Sequence, residues 1–193
     1  MLASFKPSLF VHSPRAESYL FLLAAFEAAF LPVGIEMLLI PLLILSPEKT
    51  ARLALIATAG AVCGAIGGFI LGALLNVLMT PGLSALGWLT AWQGVQTFYA
   101  DFDAVVVLST AFSPLPLSVV TIGSGVLGAD PAQVVMACLI ARAARYGFIA
   151  WILWRGGAGQ QEWLERNFFA MTMVASLALL VTFVFVKYLI MVS

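Results

Sequence analysis

The stretch FEAAFLPVGIEMLLIPLL, residues 26–43, is apolar enough to lie in a bilayer, yet it carries two glutamates, Glu27 and Glu36, nine positions apart. A helix that crosses about 30 Å of hydrocarbon needs about 20 predominantly apolar residues. Pro32 and Gly34 interrupt this stretch near its middle, where neither residue supports a continuous helix. The stretch therefore predicts two short helices that meet at a break, with an acidic residue on either side of it.

The composition of the whole chain predicts an all-α integral membrane protein. Of its 193 residues, 63% are hydrophobic and only 9% are charged, and the mean hydropathy is +1.08. Soluble proteins carry about 25% charged residues. Nine basic residues balance nine acidic ones, so no bulk charge indicates a nucleic-acid partner. One histidine and two dispersed cysteines form no metal-ligand pattern, and no metal or cofactor is predicted.

Five apolar segments follow an N-terminal tail, residues 1–17, which is expected to lie at the membrane surface or in the cytoplasm. Three of them are long enough to span a bilayer: residues 51–79, 132–154 and 168–191. Two others are each divided by a proline-bearing break: residues 18–45, broken at LPVG (31–34), and residues 104–128, broken at SPLP (113–116). Each half is too short to span, so a re-entrant hairpin that dips in and turns back is predicted for both.

The placement of basic residues favours hairpins over kinked spans. With two hairpins, Lys49 and Arg52 share a face with the N-terminal tail, and Arg155 returns to that face. Residues 80–103, predicted to be an interfacial outer loop, contain no lysine or arginine. Every one of these loops then follows the positive-inside rule, which places the N-terminus in the cytoplasm and the C-terminus outside. If both segments were full spans, Lys49 and Arg52 would lie opposite the tail.

The two broken segments also resemble each other. Phe30 and Pro32 align with Phe112 and Pro114 at an offset of 82 residues, and each segment is followed by a long helix. The same offset pairs Ile40 with Ile122 and Leu45 with Leu127; after a slip of two residues, Pro47 pairs with Pro131. Such an inverted repeat of hairpin plus helix is typical of transporters, whose sites lie at the bilayer midplane where broken helices meet. The breaks themselves are predicted at Pro32, Gly34, Pro114 and Pro116.

Four charged residues fall inside apolar segments: Glu27, Glu36, Arg142 and Arg145. An ionised side chain at the centre of a membrane helix costs about 2.5 to 3.5 kcal/mol on insertion scales, so these four must be paired, neutralised or hydrated. In the functional interpretation, Arg142 and Arg145 bind an anion such as a phosphate, and Glu27 and Glu36 couple its binding to protons. In the structural interpretation, the two glutamates only neutralise the two arginines.

Glycine recurs every fourth residue in segment 51–79, at Gly60, Gly64, Gly68 and Gly72. This pattern predicts a flat helix face against which another helix packs closely. The packing partner is either another segment of the chain or a second subunit, so a homo-oligomer is possible.

The ordered motifs FEAAFLPVGIEMLLIP, the glycine-rich helix, FSPLP with GSGV, and RAAR resemble the DedA (SNARE-associated, or VTT) family, most closely its short YqaA-like branch. The resemblance covers roughly residues 20–155 and implies a membrane domain over residues 18–155. Glu27 is similar to the family's first-hairpin glutamate, and Glu36 stands where the family usually has aspartate. Larger members carry two arginines beside the second break, where this chain has Ala111 and Leu117; Arg142 and Arg145 are the nearest basic residues.

The resemblance implies a carrier or flippase of the bacterial inner membrane that translocates an anionic lipid head group, polyprenyl phosphate or phospholipid, with proton-motive-force coupling. Two other classes stay open. A structural or assembly protein would use the glycine face and keep its charges in buried ion pairs. An intramembrane lipid-modifying enzyme would need a nucleophile and a base within reach of each other, and the apolar segments offer no such cluster, so the chain is not expected to be an enzyme.

Overall fold

A computed structural model describes residues 15–30, 35–100, 103–109 and 116–156, together with residues 167, 177 and 181. Over these residues the chain is helical and contains no β-strand, which confirms the all-α prediction for the described part. The α-helices are α1 (Ala16–Ala29), α2 (Glu36–Leu45), α3 (Thr50–Ala85), α4 (Leu89–Ala100), α5 (Asp103–Ser109), α6 (Leu117–Leu127) and α7 (Pro131–Gly156). A short 3-10 turn, Pro47–Lys49, connects α2 to α3.

Two helices, α3 with its preceding turn and α7, are long and apolar enough to cross a membrane by length and composition. They coincide with the predicted segments 51–79 and 132–154. The start of α7 is fixed by Asp130, whose Oδ1 accepts hydrogen bonds from the N–H groups of Ala132 (2.7 Å) and Gln133 (3.2 Å). Pro131 occupies the first helical position, where a missing N–H costs nothing.

The helix α3 extends further than the sequence predicts. The predicted segment ended at residue 79, but the helix continues through Pro81 to Ala85. It ends at Gly87, which adopts a left-handed φ of +73°. The N–H of Gly87 donates to Ser84 O, and the N–H of Trp88 donates to Leu83 O. This pair of bonds forms a Schellman motif, so a local signal six residues beyond the proline determines the helix end.

The segment 80–103, predicted as an outer loop, contains the helix α4. No residue of α4 is buried, and Trp88 and Phe98 are largely exposed, as an interfacial aromatic helix would be. The indole N–H of Trp92 donates to Asn76 Oδ1 at 3.3 Å, and Tyr99 hydroxyl lies 2.8 Å from Ser124 Oγ. These bonds hold α4 against the far ends of α3 and α6.

The first pair of short helices returns to the end of the molecule from which it starts. Glu17, at the start of α1, forms an ion pair of 2.7 Å with Arg52, at the start of α3. Because α2 leads into α3 through only the 3-10 turn, the start of α1 and the end of α2 lie at the same end. A single kinked span over residues 16–45 would place them at opposite ends.

The second pair behaves in the same way from the opposite end of α3. The helix α5 begins shortly after Tyr99, and Tyr99 contacts Ser124 in the last turns of α6. The start of α5 and the end of α6 therefore lie together at the far end. From there α7 runs back, so that Ala150 and Trp154 lie beside Pro47 and Ala51.

The four glycines of α3 pack against helices of the same chain. A β-carbon added at Gly60 would overlap Phe21 O, and one at Gly64 would overlap the backbone of Ala25, so α1 lies directly on α3. A β-carbon at Gly72 would overlap Ile122 O in α6. At Gly68, near the middle of α3, the two packing partners meet: Thr121 Oγ1 of α6 donates to Ala28 O of α1 at 3.2 Å. The glycine face is therefore covered by helices of the same chain, which answers the question of its packing partner for the described residues.

Several predictions fall outside the described residues. These are the tail over residues 1–14, the C-terminal segment 168–191 apart from residues 177 and 181, and the break residues Pro32, Gly34 and Pro114. Pro116 is described: it precedes α6 with an extended backbone, φ −61° and ψ 129°. Because this extended backbone conformation is not helical, Pro116 sets the start of α6.

Replacing Gly64 with alanine is expected to lower the free energy of unfolding by about 1 to 3 kcal/mol, because the new methyl group overlaps the backbone of Ala25. The matched control is Gly67→Ala on the exposed side of the same helix, where an added β-carbon meets nothing within 4 Å. Denaturation in mixed micelles measures both. Equal stability of the two variants would show that α1 does not lie on this face.

Candidate functional site

The four charged residues of the apolar segments come together in one cluster, although they are up to 118 positions apart in sequence. Arg145 Nη2 lies 2.6 Å from Glu36 Oε1, and its Nε donates to the same oxygen at 2.8 Å. Arg142 Nη1 lies 3.9 Å from Glu27 Oε1. The structure therefore arranges the four side chains as two ion pairs, one tight and one loose, as the structural interpretation describes. Below, these four residues are called the charged cluster.

The ends of broken helices position the two carboxylates. Glu27 lies in the last turn of α1, and its Oε2 accepts a hydrogen bond of 3.1 Å from the N–H of Ile35, the residue that caps α2. Glu36 is the first residue of α2. A carboxylate is stabilised near a helix N-terminus by the unpaired N–H groups and the helix dipole. Such an N-terminus can also attract a bound anion, and in the structure Glu27 occupies it.

The two arginines lie half-way along α7. They are three residues apart, so both project to the side that faces α1 and α2. Arg142 is 2% exposed, whereas Arg145 is more accessible, with 14% of its side chain exposed. At this depth neither side chain reaches the end of the helix, which lies about ten residues away.

Arg142 is bonded less completely than its burial requires. Its Nη1 donates to Tyr146 hydroxyl at a long 3.4 Å, and its guanidinium lies 5.8 Å from the centre of the Tyr146 ring. Its Nε is buried without a hydrogen-bond partner. A guanidinium carries five N–H donors, and a buried donor without a partner costs about 1 to 3 kcal/mol. The sequence analysis did not single out Tyr146, although its position four residues after Arg142 places it on the same helix face.

A row of buried hydroxyl groups on α6 extends from the cluster toward the far end. Ser118, Thr121 and Ser124 are three residues apart and each is at most 3% exposed. Thr121 bonds to the end of α1, next to Glu27, and Ser124 bonds to Tyr99. The sequence analysis did not identify this row, although the hydroxyl residues recur at every third position of LSVVTIGSGVL, which places them on one face of a helix.

A cavity of about 530 Å³ lies elsewhere, between the first half of α3 and the second half of α7. Its wall is mostly apolar and includes Ala54, Thr58, Ala143, Gly147, Ala150, Trp151 and Trp154. None of the four members of the charged cluster lines it. The polar groups that could recognise an anion converge at the cluster, so the cluster and not this cavity is the candidate site.

Within the described ranges, no three His, Cys, Asp or Glu side chains are close enough to share a metal ion. The absence of a metal and of a cofactor stays a prediction for the whole chain.

Comparison with known proteins gives one informative match. No protein-family model matches the chain, and no solved structure matches it. A protein of Haemophilus influenzae, described as uncharacterized, is 25% identical over 131 residues, which cover 68% of this chain and 68% of that protein. The match shows a related sequence in a bacterium and assigns no activity.

Replacing Arg142 with alanine is expected to destabilise the protein by about 3 to 5 kcal/mol, because it leaves the Glu27 carboxylate buried without a counter-charge. Arg52→Ala removes the same side chain from an exposed pair and is expected to cost at most about 1 kcal/mol. Denaturation in mixed micelles compares the two. If Arg142→Ala lowered the free energy of unfolding no more than Arg52→Ala, the Glu27 carboxylate would not depend on Arg142 as its counter-charge.

Proposed function

We propose that this chain is a membrane carrier of the DedA type that moves an anionic lipid head group, polyprenyl phosphate or phospholipid, across the bacterial inner membrane with proton coupling. The observation that carries the proposal is Arg142: a guanidinium 2% exposed, half-way along α7, facing the ends of interrupted helices and lacking a full set of partners. A charge held at this depth is expensive, and membrane proteins retain such charges chiefly where they bind or move something.

The distribution of side chains supports a lipid environment. Along α3, Leu55, Leu74 and Leu78 are 69%, 56% and 75% exposed, while the charged cluster lies inside. In water this distribution would be unfavourable, because soluble proteins rarely expose long apolar faces and bury charged groups. A bilayer around α3 and α7 accounts for both features.

The basic residues support the proposed orientation. Lys49 and Arg52 lie at the start of α3, and Arg155 lies in the last turn of α7, at the same end. Asp103 and Asp130 lie at the opposite end. The positive-inside rule then places the first end in the cytoplasm and the second end outside.

The helix boundaries support an inverted repeat of two re-entrant hairpins. The second helix of the first pair ends at Leu45, and that of the second pair ends at Leu127, which are aligned residues of the proposed repeat. The next helical elements begin at Pro47 and Pro131, which are also aligned. The two pairs start from opposite ends of α3, as two hairpins that enter from opposite faces of a membrane would.

The chemistry of the cluster suits a phosphate. An arginine fork donates two parallel hydrogen bonds to phosphate oxygens and stays charged at any working pH. The helix α6 begins near the same depth, and no side chain of the described residues caps its N-terminus. In this proposal its first N–H groups, which have no partners within the helix, are a second source of donors for an anion. Glu27 and Glu36 supply the groups that exchange protons during transport.

One observation favours the structural alternative. The Glu36–Arg145 pair has two short bonds, which is the geometry of a pair that serves stability. The two functions differ in their response to Arg142→Lys: lysine keeps a charge beside Glu27, which satisfies the long structural contact, but it loses the bidentate recognition of phosphate. No enzyme activity is proposed.

Cysteine labelling tests the proposed orientation. In a chain whose native Cys63 and Cys138 are replaced, Ser84→Cys is expected to react with a membrane-impermeant maleimide added to intact spheroplasts. Glu48→Cys, at the opposite end of α3, is expected to react only after permeabilisation. Labelling of both sites from one side would be incompatible with α3 as a membrane span.

Transport in reconstituted vesicles tests the carrier function. With fluorescent phosphatidylglycerol as the cargo, Arg142→Lys is expected to reduce the transport rate on the order of tenfold or more, since lysine keeps the charge beside Glu27 but loses the fork. The matched control is Arg155→Lys at the exposed end of the same helix, which is expected to transport like the unmodified protein. Full activity of a folded Arg142→Lys variant would show that the Arg142 fork does not recognise the phosphate, and absence of transport by the unmodified protein would favour the structural alternative.

A further inference from the structure

The Glu27 carboxylate occupies the place that a bound anion would take. One oxygen accepts a hydrogen bond from the N–H of Ile35 at the start of α2, and the other lies 3.9 Å from Arg142 Nη1. A helix N-terminus and a guanidinium both commonly bind phosphate in proteins. Glu27 is thus a resident anion in a site built for anions.

The Glu27 carboxylate is bound only weakly to Arg142. Glu36 and Arg145 are 2.6 Å apart, whereas Glu27 and Arg142 are 3.9 Å apart, beyond hydrogen-bond distance. Arg142 retains an unpartnered Nε although it is 98% buried. A ligand with three or four oxygens can reach donors that the two oxygens of Glu27 leave without a partner.

The charge count of the cluster determines what must accompany an anion. Two carboxylates and two guanidiniums sum to zero, and Tyr146 and the buried thiol of Cys138, one turn to either side on α7, are the other titratable groups beside Arg142 among the described residues. The sequences of α3 and α6 contribute no charged residue at this depth, since Arg52 lies at the outer end of α3. An added anion would leave one uncompensated negative charge in a buried site, which is strongly unfavourable.

We propose that the phosphate of the lipid head group displaces the Glu27 carboxylate from Arg142 and from the N-terminus of α2, and that Glu27 takes up one proton from the aqueous phase as it leaves. Anion and proton then bind together, and the cluster stays neutral. This exchange rests on the proposed function, because it names the step by which the carrier's site is emptied and filled.

Isothermal titration of the detergent-solubilised protein with dihexanoyl phosphatidylglycerol tests the exchange. The phosphodiester of this lipid keeps a single charge over the pH range of the titration, so any proton uptake belongs to the protein. Titrations in two buffers that differ in ionisation enthalpy give the number of protons taken up for each lipid bound. The unmodified protein is expected to take up about one proton.

Glu27→Gln is expected to bind the lipid on the order of tenfold more tightly and to take up no proton, because Arg142 then has no resident carboxylate. The matched control is Glu17→Gln on the same helix, at the exposed ion pair with Arg52, which is expected to behave like the unmodified protein. The proton count of the unmodified protein tests the exchange by itself if Glu27→Gln does not fold.

The outcomes separate the two proposals. The exchange would be overturned if the unmodified protein bound the lipid without proton uptake and Glu27→Gln bound it with equal affinity. If Arg142→Lys abolished that binding, the carrier function would still stand. No binding by the unmodified protein or by Glu27→Gln would overturn the carrier function, and the exchange with it. Equal affinity for dimethyl phosphate, which has no acyl chains, would assign the site to a free phosphodiester and overturn the lipid as its ligand.

Discussion

The close contact between the glycine face of α3 and two short helices determines the arrangement of the rest of the described structure. At Gly60, Gly64 and Gly72 there is no space for a β-carbon, because the backbone of α1 or α6 occupies it. Close backbone contact of this kind maximises van der Waals packing, which is the main attraction between helices where no hydrophobic effect operates. The contact places the end of α1 and the start of α6 together at Gly68, half-way along α3.

The charged cluster follows from that meeting point. Because α1 ends beside the middle of α3, Glu27 lies at mid-depth, and α2 must begin there with Glu36. The helix α7 crosses the same level with Arg142 and Arg145. The end of α1 and the start of α2 thus bring two carboxylates and unpaired backbone N–H groups to the middle of the molecule. A continuous helix has no unpaired backbone groups at that level. In the proposed carrier, the interruptions are what make a polar site possible inside an apolar molecule.

Much of this was predictable from sequence because the deciding signals are local. The four-residue glycine period, the proline-bearing breaks and the charged residues within apolar segments each predict a feature from a few adjacent residues. The pairing of Glu27 with Arg142 and of Glu36 with Arg145 was not predictable, since it depends on how α7 is rotated and shifted against α1 and α2. Nor was the occupation of the α2 N-terminus by Glu27, which depends on the path between the two helices. The continuation of α3 through Pro81 was missed because the helix-ending signal is the glycine at 87 and not the proline.

The meeting of α1 and α6 at Gly68 has a mechanical consequence. The two helices occupy successive parts of one face of α3 and meet where Thr121 bonds to Ala28, so they share a groove of fixed length. If either slides along α3 by one helical turn, about 5.4 Å, it runs into the other or leaves an opening of that length beside Glu27. The position of one short helix therefore limits the travel of the other, and any opening that their separation creates forms at the level of the charged cluster.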